Sequence, residues 1–201
     1  MGRAGFFILR ELCYNMGMKK ATLLWIDLEM TGLDPKSDKI IEVACIATDW
    51  KLREVATFSA NIKWSKTLLE KKMVGEFWGK NLKTRNDLIK ASQSGEPLAV
   101  VENKLLDFIA TNFARPTKGR PIYLAGNSVH QDRKFLEVEM PGVDRLFHYR
   151  LLDVSALKII FGHMYKMRVK KPNAHRAEDD IRGSIDELKL YLAKIDGAKS
   201  V

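Results

Sequence analysis

Apolar positions follow two different periods along this chain, and the change from one to the other predicts its layout. Residues 22–29, 40–48 and roughly 54–62 are rich in β-branched and apolar side chains and are bounded by turn residues, which predicts three strands. Gly32-Leu33-Asp34-Pro35 breaks the first from the second. Further on, apolar residues move to three- and four-residue spacing at 82–91 and 98–113, predicting two helices in a mostly helical stretch. Residues 121–125 read as a short strand. Ser128 stands where it can cap a following helix, with Gln131 three residues on completing a capping box. Residues 149–154 predict another strand, Ser155 caps a helix reaching about residue 165, and a last helix spans about 174–195. Three strands followed by alternating helix and strand predict a mixed sheet flanked by helices, an α/β fold.

The chain has 201 residues, room for one well-packed domain, and no linker or repeat divides it. Residues 21–201 read as that domain, and residues 1–20 as a separate leader. The leader carries Arg3, Arg10, Lys19 and Lys20 against one acid, Glu11, beside an apolar patch at Phe6-Phe7-Ile8-Leu9. That composition fits a mitochondrial transit peptide, and equally an extension upstream of a start at Met16 or Met18. The expected compartment is therefore the cytoplasm, the mitochondrion or both. With 46% hydrophobic and 29% charged residues, disordered and fibrous chains are excluded. Apolar runs fall short of a bilayer span, so no membrane partner is expected. Two cysteines, Cys13 and Cys45, make no disulfide framework, and Cys45 inside Val43-Ala44-Cys45-Ile46-Ala47 reads as a small core residue. A formal net charge of +9 favours polyanionic partners, nucleic acid first.

Three places carry chemistry. In the first strand, Leu24, Ile26 and Leu28 take one face while Asp27 and Glu29 stand on the other, about 6–7 Å apart along it. Two carboxylates on one face of a core strand repel each other, and a hard divalent cation relieves that repulsion. On the last helix, His175 and Asp179 are four apart and share a face. Asp180, the competitor for the functional acid, falls five after His175, off that face, where it can cap the helix or pair with Arg176 or Arg182. Asp132 lies one turn into the helix that follows Ser128, where the helix dipole favours an acid. Each alone has a plain reading: a wet strand edge, a surface His–Asp pair, a dipole-stabilised acid. Together they supply what a two-metal phosphodiester site needs, with metals about 4 Å apart and a base of near-neutral pKa.

At these residues the sequence resembles the oligoribonucleases of the DEDDh exonuclease superfamily, which have a ribonuclease H-like fold. The matching blocks are Trp25-Ile26-Asp27-Leu28-Glu29-Met30-Thr31-Gly32-Leu33-Asp34, Gly126-Asn127-Ser128 through Phe135, Phe147-His148-Tyr149-Arg150 with Leu152-Asp153-Val154-Ser155, and His175-Arg176-Ala177-Glu178-Asp179-Asp180-Ile181. The resemblance covers about 22–195 and implies a 3′→5′ exoribonuclease that degrades short single-stranded RNA, down to dinucleotides, to 5′-mononucleotides. It implies two divalent ions, Mg²⁺ or Mn²⁺, with Asp27 bridging both. Glu29 and Asp179 would hold the ion carrying the attacking water, Asp132 would support the other through water, and His175 would be the general base.

The same resemblance implies that Ser128, Arg150 and Ser155 contact the 5′ phosphate, and that Tyr149 comes from a second subunit, hence a homodimer. Leu33 would be a wedge and Trp78 an aromatic that stacks on a base; for both, core packing is the plain alternative. Lys83 falls where the family has a phosphate-capping histidine, and a lysine neutralises phosphate as a flexible point charge. Two other readings share these residues: an exonuclease acting on DNA, and a nucleic-acid-binding protein with a dead site.

Overall fold

The structure, a computed structural model, describes residues 21–169 and 177–198. The leader at 1–20, with Cys13, and the expected base His175 lie outside the described residues.

A five-stranded sheet in the order β3-β2-β1-β4-β5 forms the centre. β1 (Leu23–Met30), β2 (Ile40–Thr48) and β3 (Glu54–Asn61) make an antiparallel meander. β4 (Tyr123–Gly126) and β5 (Leu152–Asp153) join parallel to β1, giving the mixed sheet expected. Between β3 and β4 run α1 (Lys66–Lys72), α2 (Glu76–Lys80), α3 (Leu82–Gln93) and α4 (Leu98–Asn112). After β4 come α5 (His130–Glu139) and α6 (Pro141–Asp144), and after β5 come α7 (Val154–Met164) and α8 (Ala177–Ala198).

Alternation along β1 sorts the core into two layers. Leu24, Ile26 and Leu28 join Val43, Cys45 and Ala47 beneath α4 and α5, through Val101, Leu105, Ile109, Phe135 and Leu136. Leu23 and Trp25 take the opposite face with Ala44 and Ile46, covered by Phe161 of α7 and by Ile181, Ile185, Leu188 and Tyr191 of α8. Cys45 is fully buried and its thiol is pushed well above the ordinary range by desolvation, as a core residue would be. None of the described helices is long and apolar enough to cross a membrane.

Three local expectations are corrected. The strand at 149–154 shrinks to Leu152–Asp153, because β4 offers only Ala125 and Gly126 as partners there. Asp153, not Ser155, caps α7, its carboxylate accepting the Ser155 N–H at 2.9 Å. The capping box at Ser128 does not form. Ser128 adopts φ 51°, its hydroxyl turns to Ser155, and the Gln131 amide donates instead to the Leu33 carbonyl at 2.6 Å.

Candidate active site

Asp27 and Glu29 project from β1 on the face that Trp25 and Leu23 share, toward α8. There they meet Asp180, and one carboxylate oxygen from each residue lies within 4.8 Å of the others. All three are half-buried. The third acid is thus Asp180, and Asp179 is exposed. At 100° per residue, the buried line Ala177, Ile181, Ser184, Leu188 and Tyr191 defines the inner face of α8. Asp180 lies about 60° to one side of Ala177, whereas Asp179 lies roughly 160° away, opposite the sheet. Arg182, the expected partner of Asp180, pairs with Glu54 and Glu178.

Three converging carboxylates in one half-buried spot repel one another unless a cation joins them. Their donors are all oxygen, which suits Mg²⁺ or Mn²⁺ better than a thiophilic metal.

Asp132 stands at the edge of this group. β4 ends at Gly126 while β1 runs on to Met30, so the far end of β1 has no strand beside it on that flank. The Asp132 carboxylate fills that role, accepting the Leu28 N–H at 3.0 Å between the two β1 acids. Only 7% of Asp132 is exposed, and burial pushes its carboxyl up to about 7, helped by the charge of Asp153 and opposed by the backbone N–H bonds. Gly126 eases the close approach of β4 to β1 and α5, since a Cβ there would stand 3.0 Å from the Ile26 carbonyl oxygen and 3.2 Å from Val129 Cβ.

Beyond β4, Ser128 and Ser155 come together. The Ser128 N–H donates to Asp153 Oδ1 at 2.9 Å and to Ser155 Oγ at 2.8 Å, and the two hydroxyls lie 3.1 Å apart. These bonds hold a non-glycine residue in the left-handed region, a conformation with an intrinsic cost that is retained at functional positions. Arg150 lays its guanidinium over the Tyr149 ring, 4.9 Å from the centroid, and Tyr149 is 70% exposed. Lys83 is exposed in the first turn of α3.

Leu33 is 74% exposed at the tip of a short loop after β1. Asp38 closes that loop, accepting from Thr31 Oγ1 at 2.9 Å and from the Asp34 N–H at 3.1 Å, and Gln131 fixes Leu33 itself. Trp78 departs from a stacking platform. It is 5% exposed, packed with Ile41, Leu69 and Met73, and its indole N–H donates to the Thr31 carbonyl at 2.9 Å. Its place is beneath the Leu33 loop, and the exposed aromatic of α2 is its neighbour Phe77. Sequence reasoning missed Asn127, Gln131, Asp153 and Glu187 as site residues and set Asp180 second to Asp179; of these only Glu187 lies outside the motif blocks.

The mixed five-stranded sheet carries this acidic cluster at the end of its central strand. Residues 24–188 match the RNase_T exonuclease family. An oligoribonuclease of Neisseria meningitidis is 39% identical over 176 residues, spanning 86% of this chain and 91% of the relative. Those of Bordetella pertussis and Haemophilus influenzae are 40% and 42% identical over 183 residues, each spanning 88% of this chain and 96% of the relative. This chain belongs to the oligoribonuclease family. The fold recurs in the Escherichia coli exonuclease I–single-stranded DNA complex, with TM-score 0.64 at 16% identity over 88% of this chain and 41% of that one. It recurs also in Pop2p of S. pombe, bound to Mg²⁺ and Mn²⁺, with TM-score 0.56 at 13% identity over 92% and 86%.

Proposed function

We propose that this enzyme removes 5′-mononucleotides from the 3′ end of short single-stranded RNA, down to dinucleotides. The observation that carries the reading is the meeting of Asp27, Glu29 and Asp180 at the end of β1. With Asp132 these residues would hold two divalent ions, Mg²⁺ or Mn²⁺. Such ions, when bound, polarise the scissile phosphodiester and lower the pKa of water.

The protein's own groups do the remaining work. His175 takes the proton of the attacking water. Leu33, held on its braced loop, wedges against the terminal bases. Ser128, held in place by Ser155, receives the 5′ phosphate together with Arg150 and Lys83, which limits length by requiring that end within reach. Trp78 serves by supporting the Leu33 loop. Tyr149 completes the site of a second copy in a homodimer. In support, Tyr149 is largely exposed, with the Arg150 guanidinium laid over its ring.

The test is degradation of labelled RNA two, five and twenty nucleotides long, with Mg²⁺ and with EDTA. Metal-dependent cleavage that falls steeply with length is the expected result. Equal cleavage at every length would refute the length limit, and action on short DNA alone would replace the substrate.

A further inference from the structure

The phosphate pocket is tied to the inner face of α8 through a side chain with a direction. Asn127 Oδ1 accepts from Ser155 Oγ at 3.3 Å, and its Nδ2 donates to Ser184 Oγ at 2.7 Å and to Glu187 Oε2 at 3.4 Å. Ser184 Oγ in turn donates to the Asp180 carbonyl at 2.8 Å. Glu187 has no exposed surface; Tyr191 donates its hydroxyl to Oε1 at 2.7 Å, and Lys158 Nζ stands 3.8 Å from the same oxygen. A buried acid beside a lysine and a phenol donor is built to accept, so it fixes which end of the Asn127 amide turns inward.

The consequence is a proton inventory for the two serines. Ser155 donates its one hydroxyl proton to Asn127 and accepts the Ser128 N–H. Its remaining lone pair meets the Ser128 hydroxyl, which gives up only a 3.1 Å contact when it turns to another acceptor. We propose that Glu187 and Asn127 are positioning residues for the 5′ phosphate: Glu187 orients the Asn127 amide, Asn127 locks Ser155, and Ser155 holds Ser128 with its hydroxyl free to donate to phosphate. The proposal rests on the reading of Ser128 as a phosphate contact and gives Ser155, whose own proton is kept by Asn127, the part of holding Ser128.

Glu187→Gln tests it. A glutamine keeps the shape but can present N–H to Asn127, so the amide turns and Ser155 loses its acceptor. The measurement is kcat/KM for a dinucleotide with a 5′ phosphate and for the same dinucleotide with a 5′ hydroxyl. The ratio of the two is expected to fall about tenfold in Glu187→Gln, mostly through KM for the phosphorylated substrate. A proportional loss on both substrates leaves the ratio unchanged; it would mean that Glu187 merely supports α8 and would overturn the proposal. If Glu187→Gln fails to fold by circular dichroism, Tyr191→Phe keeps the acid and deletes one donor. A smaller fall of the ratio supports the chain, and no fall overturns it. A wild-type enzyme indifferent to the 5′ phosphate would instead remove the pocket reading on which the proposal stands. Ser128→Ala checks that reading separately, since it should lower the ratio whatever Glu187 does.

Discussion

Replacing Asp132 by asparagine keeps an oxygen for the Leu28 N–H while removing a buried charge. Without metal, the folded protein holds this carboxyl at about 7, against an ordinary value of 3.8. The folded state therefore keeps a proton that the unfolded chain releases. Stability from this group is fully present below about pH 4, declines on the way up, and is lost as pH rises through about 7. A shift of roughly three units corresponds to a ceiling of about 4 kcal/mol, and water penetration reduces the effective figure to about 1–3 kcal/mol. Asp132→Asn in EDTA is thus expected to melt several degrees above the wild type at pH 8, at about 2–4 °C per kcal/mol, and alongside it at pH 4.5. The same variant should lose most of its Mg²⁺-dependent nuclease activity. Calorimetry at the two pH values with an activity assay decides the matter. A variant that melts no higher than wild type at pH 8 would show that Asp132 carries no desolvation cost.

Asp180→Asn should lower kcat about 10³-fold, since a metal ligand supports several kcal/mol of transition-state stabilisation, while Asp179→Asn stays within about twofold. Initial rates and a Mn²⁺ titration separate the two, and the reverse ranking would restore the sequence-based choice. Gly126→Ala drives a Cβ toward the Ile26 carbonyl oxygen and should cost about 1–3 kcal/mol, read as a lower melting temperature. Gln131→Ala frees the Leu33 carbonyl and should raise KM for dinucleotides by about three- to tenfold, with little change in kcat. In a Leu33→Ala background that effect should vanish, because the glutamine then has nothing to position.

Most of the sheet was legible because alternation on β1 and β2 is strict, and the same alternation put Asp27 and Glu29 together. What failed were matters of register and local competition. Asp179 was chosen by counting from a histidine, whereas the helix takes its rotation from Ala177, Ile181, Ser184 and Leu188, whose pattern pointed to Asp180 all along. At Asp153-Val154-Ser155 two good caps compete, and the acid captures the Ser155 N–H, starting α7 two residues earlier. At Phe77-Trp78 a five-residue helix shows too little periodicity to tell which ring turns inward. The polar chain from Glu187 to Ser128 joins residues sixty apart, a relation that only tertiary packing creates.

That chain gives α8 two duties on one rigid body. Asp180 faces the acidic cluster and Glu187 faces Asn127, seven residues and about 10 Å apart along the axis. A distance kept by two turns of helix does not breathe as a loop does. If the pocket takes the 5′ phosphate as proposed, the enzyme would select substrate length with a fixed gauge. An inserted residue between Asp180 and Glu187 would not lengthen the gauge so much as break it, turning one end about 100° away from its target.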